Sequence, residues 1–168
     1  MRHWGFDDGK VTRRRLFVTR TLVARAGGAL VTVLTLAGVA LTAQTKLPTV
    51  VVYKTPTCGC CTKWVQHLQA AGFTVETQHR EDLTLIRQQQ KVPASASSCH
   101  TALVGPYVVE GHVPAADVKK LLAEKPAIKG IAVPGMPIGS PGMEGPNPQQ
   151  YDTVAFTEAG KTTVFAKH

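Results

Sequence analysis

The chain has 168 residues and a formal net charge of +8, unevenly spread. Residues 1–46 carry eight basic residues against Asp7 and Asp8, whereas residues 47–168 carry eleven basic against nine acidic. Most of the positive charge therefore belongs to a leader, and its basic clusters lack the interleaved aromatics on which bases stack, which speaks against nucleic-acid binding as the reason for the high pI.

The leader reads as an export signal over residues 1–43. Arg13-Arg14-Arg15, with Arg20 and Arg25 after it, precedes an uncharged, mostly apolar run from Ala26 to Ala43. Gly38-Val39-Ala40 and Leu41-Thr42-Ala43 both offer a small-residue cleavage site. The segment Arg14-Arg15-Leu16-Phe17-Val18 resembles a twin-arginine signal. The expectation is an exported, periplasmic protein. A membrane anchor is the alternative if the leader is retained, since the run just reaches the roughly 17 residues that span a bilayer.

The remainder is one domain's worth of chain. Thr49–Tyr53 is a β-branched and aromatic run and reads as a buried strand. Cys60–Ala71 has helical spacing, with Trp64, Val65 and Leu68 on one face and Gly72 as a stop. A second strand is predicted over Phe73–Thr77 and a polar helix over Asp82–Gln90, ended by Pro93. The small-residue loop Pro93–Ser98 then delivers Cys99 and His100. Ala102–Val104 and Tyr107–Val109 read as strands, and Pro114–Lys125 as a capped helix with Val118, Leu121 and Leu122 as its apolar stripe.

A strand that delivers cysteines to the start of a helix, in this element order, predicts an α/β fold with a thioredoxin-like domain over 47–130. Residues 131–168 read as a C-terminal extension. Six of the eleven prolines and five glycines fall in Pro126–Pro148, where no regular element is expected. Thr153–Phe156 and Thr162–Ala166 then alternate as a β-hairpin around Glu158-Ala159-Gly160-Lys161.

Cysteine usage carries the chemistry. Three of the four cysteines, Cys58, Cys60 and Cys61, fall within four residues. A stapling framework spreads its cysteines to close loops, whereas this one concentrates them, as a reactive or ligating site does. Cys58 and Cys61 have C-x-x-C spacing at a helix start, where the helix end favours thiolate and the two sulfurs can close a disulfide. Disulfide exchange needs only those two. Cys60 and Cys99 are extra, and extra thiolates suit a soft metal, copper above all as Cu(I). Thiolate sulfur also bridges metal ions, so a polynuclear site is open to this chain. The thioethers of Met136 and Met143 add soft donors, and His100 and His112 add imidazole. His67 is read as lying on a solvated helix face and Trp64 as core.

With these residues assembled, the chain resembles the CopG-type periplasmic copper-resistance proteins, once catalogued as a domain of unknown function. The resemblance runs from about Thr49 to Phe165. Its carriers are Lys54-Thr55-Pro56-Thr57-Cys58-Gly59-Cys60-Cys61, Ser98-Cys99-His100-Thr101, Glu110-Gly111-His112-Val113-Pro114 and Gly135-Met136-Pro137 through Gly142-Met143-Glu144. It implies a thioredoxin-like domain whose C-terminal extension helps bind metal. It also implies a copper oxidoreductase role, interconverting Cu(I) and Cu(II) ahead of efflux at a cysteine-bridged copper site. Carried over, Cys58, Cys60, Cys61 and Cys99 become the core ligands, and His100, His112, Met136 and Met143 further candidates. The implied partners are copper ions, the copper efflux machinery and a redox partner. Two other readings stay open from the residues: a thiol–disulfide oxidoreductase using Cys58 and Cys61, and a non-catalytic copper carrier.

Overall fold

The computed structural model describes residues 46–168. The expected export signal over 1–43 lies outside them. Among the described residues no helix is long and apolar enough to cross a membrane.

The architecture is mixed α/β, built on one seven-stranded sheet. Strand β1 (Val50–Lys54) leads into helix α1 (Gly59–Ala70), strand β2 (Val75–His79) and helix α2 (Thr84–Gln89). A 3-10 turn at Ala94–Ala96 follows, then β3 (Thr101–Val104), β4 (Tyr107–Glu110) and α3 (Ala115–Glu124). Strands β5 (Gly130–Ala132), β6 (Asp152–Phe156) and β7 (Thr162–Lys167) complete the chain. The strand order is β2-β1-β3-β4-β5-β6-β7. β1 runs parallel to β2 and antiparallel to β3, and β4 runs antiparallel to β3 and parallel to β5.

Alternation along the strands divides the core between the two faces of the sheet. Val50, Val52, Val104 and Val109 join the larger cluster with Trp64 and Leu68 of α1 and Val118 and Leu121 of α3. Val108, Ala132 and Phe156 form a smaller cluster with Ala96 of the 3-10 turn. The apolar stripe of α1 is thus buried as its spacing predicts, that of α3 is buried at Val118 and Leu121 and half-buried at Leu122, and Trp64 is core, its indole N–H donating to the Val113 carbonyl at 2.8 Å.

Three elements differ from the sequence expectation. β2 begins at Val75 and not Phe73, because Phe73 is committed to the core and its N–H closes α1 on the Leu68 carbonyl at 3.1 Å. β5 lies in a stretch expected to be irregular. Its short apolar run follows Gly130, where a Cβ would meet the Phe156 ring at 2.7 Å, so only glycine lets β5 slot between β4 and β6. The start of α3 is capped from another helix: Pro114 offers no side-chain acceptor, and the Ala115 N–H donates to His67 Nε2 at 3.0 Å. His67 is therefore a half-buried cap and not a solvated residue, and its pKa is lowered by that burial, with Glu144 opposing.

Candidate metal centre

The cysteines converge at one end of the sheet, where β1 ends and β3 begins. Cys58 is the N-cap of α1, and its sulfur accepts the Cys61 N–H at 3.2 Å. Cys58 and Cys61 are joined as a disulfide, while Cys60 and Cys99 are free. Cys60 Sγ lies 3.4 Å from Cys58 Sγ. Cys61 is fully buried, and its sulfur rests 4.0 Å from the Cys99 carbonyl. A disulfide sulfur has no proton to donate, so this last approach is a packing contact.

The loop before β3 brings Cys99 against this turn. All four cysteine sulfurs lie within 4.8 Å of one another, as the sequence reading expects of a shared site. Cys99 also belongs to a second group with His100 and His112, whose ligand atoms again lie within 4.8 Å of one another. Cys99 Sγ is 2.9 Å from His112 Nε2 and 3.3 Å from His100 Nδ1. The site is therefore two donor sets sharing one sulfur.

Both imidazoles are buried. His112 Nδ1 sits 2.7 Å from the Pro141 carbonyl, which can only accept, so Nδ1 carries the proton and the Nε2 lone pair faces Cys99. His100 packs on Trp64, with ring centroids 4.2 Å apart, and its Nε2 is buried with no hydrogen-bond partner among the described residues. Burial holds both imidazoles toward the neutral, ligand-competent form: His112 is lowered and His100 well below its ordinary value. Burial also pushes the Cys99 thiol up to about 12, with Cys60 adding to it. A thiolate there needs a cation beside it. Clustered sulfurs, neutral imidazoles and one orphaned ring nitrogen are a donor set that fits copper.

A part-buried ion pair fixes the Cys99 loop. Glu110, wholly buried at the end of β4, accepts from Ser98 N–H at 2.8 Å, Thr101 Oγ1 at 2.6 Å and Arg87 Nε at 2.9 Å. Arg87 also donates to the Ser98 carbonyl. Burial raises the Glu110 pKa, while Thr101, Ser98 and Arg87 all pull it down by stabilising the carboxylate. Neither Arg87 nor Glu110 stood out in the sequence as a support for the site, although an acidic residue closing the apolar run Tyr107–Val109 was a signal.

The segment after β5 packs onto the same turn. Gly142 lies so close to α1 that a Cβ would come within 2.7 Å of the Cys60 carbonyl and 2.9 Å of the Trp64 nitrogen, and its φ of +87° also favours glycine. Met143 lines a shallow cleft of about 410 Å³ together with Cys60, Lys63 and Glu144. Met136 is 53% exposed and lies outside that lining. A larger cleft of about 820 Å³, lined by Lys46, Tyr107 and Leu122, lies at the opposite end of β1 and holds none of these donors.

A family described as a protein of unknown function, DUF411, matches residues 96–143, the stretch that carries Cys99, both imidazoles and both methionines. None of the curated proteins matches the chain. Two solved structures, described as copper resistance protein copG form 2 and form 1, are 41% identical to it, with TM-scores of 0.69 and 0.68. Each match covers 73% of this chain and 98% of the solved one. The chain belongs to the CopG family of copper resistance proteins.

Proposed function

We propose that this is an exported copper-binding protein of copper resistance that interconverts Cu(I) and Cu(II) in the periplasm. The observation that carries the reading is Cys99, the one sulfur shared between the cysteine cluster and the imidazole pair. Thiolates favour Cu(I), and imidazoles accommodate Cu(II). Cys58, Cys60, Cys61 and Cys99 are the proposed core ligands, with His100, His112 and Met143 beside them and Met136 reaching in only if its loop moves. Parallel β1–β2 and antiparallel β1–β3–β4 pairing, with the dicysteine opening α1, supports a thioredoxin-like reading of residues 47–130. Residues 131–168 then form its metal-site extension.

The electrons come from Cys58 and Cys61. Closing their disulfide releases two electrons and two protons, enough to convert two Cu(II) into two Cu(I). It also removes two thiolates from the site and leaves Cys60, Cys99 and the imidazoles, so product copper is held less tightly and can pass to an efflux system. Re-reduction by a redox partner resets the pair. Adding Cu(II) anaerobically to the reduced protein tests this: two Cu(I) should form for every two thiols lost, and none once thiols are blocked. Binding of Cu(II) without thiol loss would leave a carrier.

One observation favours a second reading. Cys58 caps α1 while Cys61 is buried, the arrangement of an attacking and a resolving thiol. A thiol–disulfide oxidoreductase would reduce insulin without metal, and a Cys60→Ser/Cys99→Ser variant would retain that turnover.

A further inference from the structure

The strand that leads into the cysteine turn ends on a buried charge that the donor set does not explain. Lys54 ends β1 on the same face as Val50 and Val52, and only 3% of it is exposed. Its Nζ donates to the Thr55 carbonyl at 2.9 Å, and among the described residues no carboxylate pairs with it. The register that sets Tyr53 against Thr101 places Lys54 across from His100, the neighbour of Cys99.

Arg87 has its own partner in Glu110 at 2.9 Å, so two cations and one carboxylate surround this pocket and one positive charge is left over. An ammonium withdrawn from water without a counter-charge is destabilising. Lysine has a flexible stem long enough to reach solvent and usually does so. Its retention here calls for a negative charge nearby in the working protein.

We infer that Lys54 is the counter-charge of the thiolate centre while it holds fewer than four Cu(I) ions. This rests on the copper reading above. Four thiolates carry four negative charges and each Cu(I) cancels one, so the assembly is an anion until four ions are bound. An ammonium has no lone pair and cannot ligate copper, so Lys54 acts through charge and is a positioning residue. In the metal-free disulfide form the same ammonium is unpaired, and its burial lowers stability. One substitution therefore has effects of opposite sign on the two states.

The test compares the purified protein with Lys54→Met and Lys54→Arg. Metal-free urea unfolding is measured alongside anaerobic competition for Cu(I) against a chromogenic chelator. Lys54→Met should be at least as stable as wild type when metal-free, yet bind Cu(I) about tenfold more weakly, the scale of one nearby charge in a partly buried setting. Lys54→Arg should restore most of the affinity. If the methionine variant does not fold, Lys54→Gln takes its place. Wild-type Cu(I) affinity in a folded Lys54→Met or Lys54→Gln protein would overturn the inference and leave the copper reading standing. Absence of Cu(I) binding in the wild type would overturn both.

Discussion

Two part-buried polar clusters in this molecule look alike in composition and differ in how far they are satisfied. Near the C-terminus, Asp117 Oδ2 accepts from Thr153 Oγ1 at 2.6 Å and pairs with His168 Nε2 at 2.8 Å, while the His168 ring stacks on Tyr151. The cluster pairs its own groups and ties β6 and β7 to α3. In the cluster at the cysteine turn, among the described residues, His100 Nε2 has no partner and Lys54 no carboxylate, and Cys60 and Cys99 are free thiols. A buried polar group left unmatched by its own chain costs stability, so it persists where something else completes it. The closed cluster is architecture, and the open one is where we propose the site.

The contrast can be broken by substitutions that move stability and copper binding separately. The largest stability effect is expected at Glu110, whose carboxylate holds the Cys99 loop through Ser98, Thr101 and Arg87. Glu110→Gln leaves Arg87 without its charge partner and should cost about 3 kcal/mol in urea unfolding, with Cu(I) affinity falling as the loop loosens. Gly142→Val comes next. Positive φ and contact with the first turn of α1 should together cost about 2 kcal/mol or more. It should also weaken copper binding, because the Pro141 carbonyl that orients His112 moves with it. Asp117→Asn should cost about 1 kcal/mol and leave the copper count unchanged. Copper loss there would erase the distinction between the clusters.

The smallest effect is a pH dependence. The His67 pKa is lowered in the folded chain, so the unfolded chain binds the proton more readily. Its contribution is fully present above the unfolded value of about 6.5 and is lost as pH falls from there toward the folded value. His100 and His112 add in the same direction. His67→Gln should therefore flatten, without abolishing, the loss of stability between pH 7 and 5.5 by a few tenths of a kcal/mol. An unchanged slope in urea titrations would mean that burial does not hold the His67 imidazole neutral in the folded chain.

Local patterns made much of this legible in the sequence. Trp64, Val65 and Leu68 announced the buried face of α1, and crowding of Cys58, Cys60 and Cys61 announced the chemistry. The expected thioredoxin-like layout, with the loop before the third strand against the C-x-x-C turn, pointed to Cys99 as a fourth sulfur facing the other three. What stayed hidden depends on pairs far apart in the chain. His67 capping Ala115, Glu110 holding Arg87, and Asp117 holding His168 leave no periodic trace. β5 was concealed by the prolines around it, although Gly130 before an apolar run was a cue. Lys54 did carry a signal: a lysine two residues beyond Val52 on an alternating strand falls on the buried face.

The central claim is that the open cluster binds copper through Cys99 together with the C-x-C-C turn. Its most direct test is anaerobic Cu(I) titration of the fully reduced protein, with bound copper counted per chain in wild type and in Cys99→Ser. The account predicts tight uptake of more than one copper by the wild type and a reduced count in the variant. No tight uptake, or the same count in both proteins, would contradict it.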